Sequence, residues 1–183
     1  MLRLRTTVVL LFALALPATA LAAPSGPAGG VDAAATSTVT RETPLEQLVL
    51  REVNAVRTTR GLAPLAASEP LSRSAAAHSR AMATFGFFAH ESRNGTSFSQ
   101  RIKQFYGFRS NPWTVGENLA MFGGSTPSAG AIVDAWMASP GHRANLLREV
   151  FRDAGIAVMF NPAAGGVFDG ESTWVITLDL GRR

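Results

Sequence analysis

The residues of this chain best suited to chemistry are few: His90 in FFAHESRN, Glu117 in VGENLA, and Ser139 with His142 in WMASPGHRANLL. Two imidazoles and a carboxylate suffice for a divalent-metal site with open positions, or for a general acid/base pair. By spacing alone, His90, Glu117 and His142 are equally readable as three separate surface groups. Other chemistries fail on the residues themselves. HESRN begins like the zinc-protease pattern HExxH but carries Asn94 where the second histidine should stand. No GxSxG elbow is present, and the chain has no cysteine for thiol catalysis. The glycine pairs at 29–30, 123–124 and 165–166 are not followed by Gly-Lys-Ser/Thr, so a phosphate loop is unsupported.

The elements around these residues decide which of them can work. Thr43-Pro44-Leu45-Glu46 reads as a capping box, and Leu45, Leu48, Val49, Val53 and Val56 then recur at helical spacing up to Gly61. Ser68 with Pro70 opens a second helix to about Phe85, on which Leu71, Ala75, His78, Met82 and Phe85 form one stripe. His78 should therefore face the core as a hydrogen-bonded structural histidine. His90 falls on the turn-rich segment that follows, where polar residues are better functional candidates. Phe98, Ile102 and Tyr106 predict a short third helix, and Ser125 or Thr126 with Pro127 should cap a fourth through Ile132 and Trp136. Ser139-Pro140-Gly141 ends that helix and can start another, with Ser139 as N-cap and Pro140 as first helical residue. The helix dipole then disfavours an imidazolium at His142 and keeps the ring in the neutral form that binds metal or accepts a proton. Asp134 should be a solvent-facing helix charge, and Asn118, Arg143 and Asn145 should make structural hydrogen bonds. Gly155–Phe160 and WVITLDLG predict two strands, the second with Trp174, Ile176, Leu178 and Leu180 on one face. Helices early and strands late give an α+β domain.

The N-terminus sets the compartment. MLRLR, TTVVLLFALAL and PATALAA have the order of a secretory signal peptide over residues 1–22, with an apolar run too short to span a bilayer. Residues 23–42 read as a disordered linker, leaving 43–183 as one domain of ordinary size. Loss of Arg3 and Arg5 with the signal lowers the formal charge from +4 to +2, and Lys103 is the only lysine. Neither that charge nor any basic-aromatic array supports nucleic-acid binding.

Taken in order, HSRAMATFGFFAH, VGENLA, WMASPGHRANLL, GIAV and WVITLDLG resemble the CAP superfamily of cysteine-rich secretory, antigen 5 and pathogenesis-related proteins, in its disulfide-free bacterial branch. The likeness runs from about residue 45 to 181. It implies an α-β-α sandwich, a small antiparallel sheet between helical layers with a cleft across one end. The family's cleft holds two histidines and two acidic residues and can take zinc or magnesium. Matched motif by motif, the resemblance assigns the metal-binding histidines to His90 and His142 and one acidic residue to Glu117. Ser139 stands where many members carry the second acid, which implies weaker cation binding. The function implied is a secreted binding module whose cleft, lined by His90, Glu117, Ser139 and His142, holds a divalent cation or a small polar or lipidic ligand of the cell envelope or exterior. Two alternatives stand beside it: a hydrolase using His90 or His142 with Glu117, and a structural or host-interaction protein with a vestigial cleft.

Overall fold

The computed structural model describes residues 38–107 and 113–183. The expected signal peptide, and the expected linker as far as residue 37, lie outside the described residues. Among the described residues, five α-helices and five strands follow in order, with a short 3-10 helix (Gly166–Phe168) between the last two strands: β1 (Thr40–Arg41), α1 (Thr43–Thr58), β2 (Ala66–Ala67), α2 (Glu69–Phe85), α3 (Phe98–Phe105), β3 (Thr114–Gly123), α4 (Ala129–Ala138), α5 (Pro140–Leu146), β4 (Asp153–Ala164) and β5 (Glu171–Arg182). The sheet runs β1-β4-β5-β3, with β2 added in parallel to the start of β4. The three long strands are antiparallel.

Side-chain alternation divides the strands between two cores. Ala120, Phe122, Ile156, Val158, Trp174, Ile176 and Leu178 pack against Val49 and Val53 of α1 and Ile132 and Trp136 of α4. Leu119, Ala157, Met159 and Val175 pack on the other face against Ala75, Met82 and Ala83 of α2. Helices on both faces of one antiparallel sheet make the expected α-β-α sandwich. All seven of these helix side chains are buried, and each large one contributes about 1.5 to 3 kcal/mol.

Several local expectations are corrected. The capping box at Thr43 does not form: Glu42 is the N-cap, with no side-chain cap bond. Glu46 instead takes Nε of Arg41 at 2.8 Å and the backbone N–H of Val158 at 3.0 Å, a buried use that outcompetes an exposed cap. Residues 40–41, placed by sequence at the end of the linker, pair with Phe160 and Met159 of β4. Phe85 leaves the α2 stripe and is 56% exposed, because Gly86 ends the helix in the left-handed region at φ 66°; Arg93 covers its ring. Helix α4 is capped by Ser128, whose hydroxyl accepts from the N–H of Ala131 at 3.1 Å, rather than by Ser125 or Thr126. The VGENLA segment is the interior of β3, and both predicted strands extend beyond their expected ends.

Candidate functional site

Strand parity places the site. Glu117 on β3 is paired with Asp179 on β5, so both side chains share the sheet face that carries α2. Asn118 points to the opposite face, where its Nδ2 donates to the carbonyl of His142 at 3.0 Å. The two helical layers therefore meet along the β3 edge, with His90 arriving from the loop after α2 and His142 from α5.

The centre of the arrangement is Glu117, whose side chain is wholly buried. Nδ1 of His90 lies 2.8 Å from one of its oxygens, and the guanidinium of Arg101 donates to the other. Arg101 also donates to the His90 carbonyl at 3.1 Å and to the Ser92 hydroxyl at 3.0 Å. Since the carboxylate accepts, the proton of a neutral His90 sits on Nδ1, and Nε2 carries the lone pair. The side chain of His90 is 38% exposed, so this lone pair belongs to a ring that meets solvent. An acid that fixes the tautomer of an imidazole in this way is the arrangement found behind metal-ligating histidines.

His142 lies in the first turn of α5, as its sequence context predicts. Its Nδ1 is buried without a hydrogen-bond partner. Burial, and then the neighbouring charge of His90, lower its pKa, so the ring is neutral near pH 7. Ser139 joins α4 to α5 in extended conformation; it is buried and makes no side-chain cap bond, so it fills the N-cap position without the expected capping. The structure thus brings His90 and Glu117 into contact and His142 into the electrostatic neighbourhood of His90, while Ser139 makes no hydrogen bond to any of them. Asn145 donates to the Glu117 carbonyl at 3.1 Å and to the Asn118 side chain at 3.0 Å, and Arg143 to the Met137 carbonyl at 3.2 Å, the structural bonds expected of them. Asp134 is exposed, also as expected.

Two charged residues of the site were not singled out from the sequence. Arg101 sits on the amphipathic α3, where a basic residue reads as surface; its 5% exposure marks it as a partner of Glu117. Asp179 is fully buried, with neither oxygen in hydrogen-bond geometry, beside Ser74 and Glu117. Burial first, and then the Glu117 carboxylate, push its pKa well above the usual range, which favours the protonated acid. The available signal was an acid in the middle of the apolar run WVITLDLG.

His78 is the core histidine anticipated. It is 1% exposed, and Nε2 lies 2.8 Å from the Ala89 carbonyl. Burial pushes its pKa from 6.5 down to about 4. A ring that stays neutral when folded but protonates when unfolded loses stability as pH falls from 6.5 toward 4, since the unfolded chain binds the extra proton. That displacement corresponds to about 3 kcal/mol lost by pH 4, and nothing above pH 6.5. Denaturant unfolding of wild type and His78→Phe across this range tests it: the variant should have the shallower acid slope. Parallel slopes would refute the assignment.

The comparisons with known proteins agree with this fold. The cysteine-rich secretory protein (CAP) family profile matches residues 50–177. An uncharacterised protein of Bacillus subtilis, YkwD, is 39% identical over 111 residues, covering 61% of this chain and 41% of its own length. The membrane protein YlbC of the same organism, also uncharacterised, is 30% identical over 118 residues, covering 64% of this chain and 32% of its own. The chain therefore spans well under half of these curated relatives. Among solved structures, an extracellular protein containing a SCP domain from Bacillus anthracis superposes with TM-score 0.60 at 26% identity, covering 78% of this chain and 41% of that one. An outer surface protein of Borrelia burgdorferi superposes with TM-score 0.62 at 18% identity over 80% of this chain and 98% of that one, a likeness of fold. With the profile covering most of its length and the sandwich in place, the chain belongs to the cysteine-rich secretory protein (CAP) family.

Proposed function

We propose that this is an exported CAP-type binding module whose cleft uses His90 and His142 to hold a divalent cation, zinc or magnesium, or in its place a small polar or lipidic ligand of the cell envelope or exterior. The observation that carries the reading is the contact between His90 Nδ1 and Glu117, which leaves Nε2 as the ligating nitrogen, together with the buried, unpartnered Nδ1 of the neutral His142. Both oxygens of Glu117 are engaged by His90 and Arg101, so its part is to orient His90 rather than to ligate. Ser139 contributes no charge. Among the described residues no group of three or more His, Asp or Glu is arranged around one ion. Two imidazoles would then be the protein's share of the ligands, and a bound cation would supply a Lewis-acidic centre for an oxygen or nitrogen donor of the ligand. Among the described residues no helix is long and apolar enough to cross a membrane.

Zinc calorimetry tests the reading. Removing either ligand through His90→Ala or His142→Ala should weaken zinc by about tenfold or more, with folding retained. Wild-type affinity should fall as pH is lowered, because protons compete with the metal for imidazole and only the neutral ring ligates. Wild-type isotherms from both variants would overturn the proposal.

A further inference from the structure

Helix α5 carries His142, yet it offers the core little to grip. Of its seven residues only Leu146 is buried, and a helix of two turns is not stable on its own. Side chains from other elements hold its backbone instead. Asn118 of β3 donates to the His142 carbonyl in the first turn of α5 at 3.0 Å. At the far end, Nη1 of Arg57, from α1, donates to the carbonyls of Leu146 and Arg148 at 2.7 and 3.2 Å. We propose that Arg57 is a positioning residue for His142, the clamp that fixes α5 and with it the imidazole. The inference rests on the binding role given to His142 above.

The surroundings of Arg57 suit it to little else. It is wholly buried, its Nη2 has no hydrogen-bond partner, and its printed bonds go to carbonyls, with no carboxylate among them. Burial lowers its pKa, and the charge of Arg152 adds to the effect. A charge with no counter-ion is a poor stabiliser of a core, where apolar side chains of similar volume often do better. What an apolar side chain cannot do is bond a carbonyl. The last carbonyls of a helix have no partners within it, and a cation placed there also meets the negative end of the helix dipole. Nε of Arg57 donates to the Ala63 carbonyl at 2.9 Å, so one planar group ties the chain after α1 and the end of α5 to the last turn of α1. Lysine cannot replace it, because an ammonium is a single point while the guanidinium presents donors along separate edges.

Long-range proton–nitrogen NMR of the full, metal-free chain resolves the three imidazoles and tests the assignment. In Arg57→Lys and Arg57→Gln the ring resonances of His142 should move while those of His78 keep their wild-type positions. Lysine keeps the charge and loses the fork, so a His142 shift in Arg57→Lys reports position rather than electrostatics. In zinc calorimetry each variant should weaken binding by about tenfold, and should weaken it no further once His142→Ala is present. A wild type that ignores zinc would sink the metal reading alone, leaving the NMR result to decide the role of Arg57. The proposal is overturned if His142 keeps its wild-type resonances in the folded variants, or if their zinc loss is the same with and without His142. Should neither variant fold, hydrogen exchange of the wild type decides. The Arg143 and Leu147 amides, bonded to the Ser139 and Arg143 carbonyls, should exchange as slowly as those of α1 if α5 is clamped to it. Exchange tenfold or more faster than α1 would overturn the proposal.

Discussion

Arg101→Met destabilises the fold by about 4 kcal/mol, the expected cost of stranding one partner of a buried ion pair. The side chain of Glu117 is wholly buried and that of Arg101 only 6% exposed, so water cannot replace the lost guanidinium. Most of the cost is the penalty on an uncompensated carboxylate rather than the worth of the pair itself. Adding Glu117→Gln to Arg101→Met should therefore recover a large part of the loss, and a double-mutant cycle by denaturant unfolding measures it. The single variant should also release the His90 ring, since Arg101 holds both Glu117 and the His90 carbonyl. An Arg101→Met loss below about 1 kcal/mol would put the pair among weak surface bridges and refute the buried reading.

Gly155→Ala should cost a comparable amount for a steric reason. A Cβ on Gly155 would lie 2.1 Å from the backbone nitrogen of Ser72 and 2.2 Å from the carbonyl carbon of Leu71. These are backbone atoms of α2, so no rotamer change relieves the clash and the helix must lift from β4. Ordinary overpacking costs about 1 to 3 kcal/mol; displacement of a whole helix from the sheet puts this case near 4. Gly165→Ala is the control, because a Cβ there meets nothing within 4 Å and its φ is −77°. Thermal unfolding of the two variants should differ widely. Similar melting temperatures would mean that α2 does not lie against the strand as closely as described.

The helices and the last strand were legible because their signals are local. Leu71, Ala75, His78 and Met82 keep helical spacing, and Trp174, Ile176, Leu178 and Leu180 keep strand alternation. β3 was harder to read. Its Gly116-Glu117-Asn118 core breaks the apolar pattern, since those side chains serve the site and the helix behind it rather than the hydrophobic interior. The motif positions of His90, Glu117 and His142 were readable, but the hub at Glu117 was not. It depends on Arg101 and Asp179, brought together by strand pairing across β3 and β5 and by the docking of α3. Glu46 went astray because it suits a cap locally and has a buried partner in the fold, whereas Ser139 is the N-cap of α5 as its context predicts, without a side-chain cap bond.

The outer edge of β3 carries one more consequence. Among the described residues β3 has a strand partner on one side only, β5. The carbonyls of Glu117 and Leu119, two residues apart and so on the same edge, accept from Asn145 Nδ2 and Trp136 Nε1 at 3.1 and 3.0 Å. A bare edge is a template on which another chain can add a strand and begin aggregation. Here two side chains from α4 and α5 occupy the bonding positions such a strand would need. Trp136 and Asn145 thereby also keep the sheet from growing, which works against edge-to-edge aggregation in a chain with no cysteine and so no disulfide to hold its edges shut.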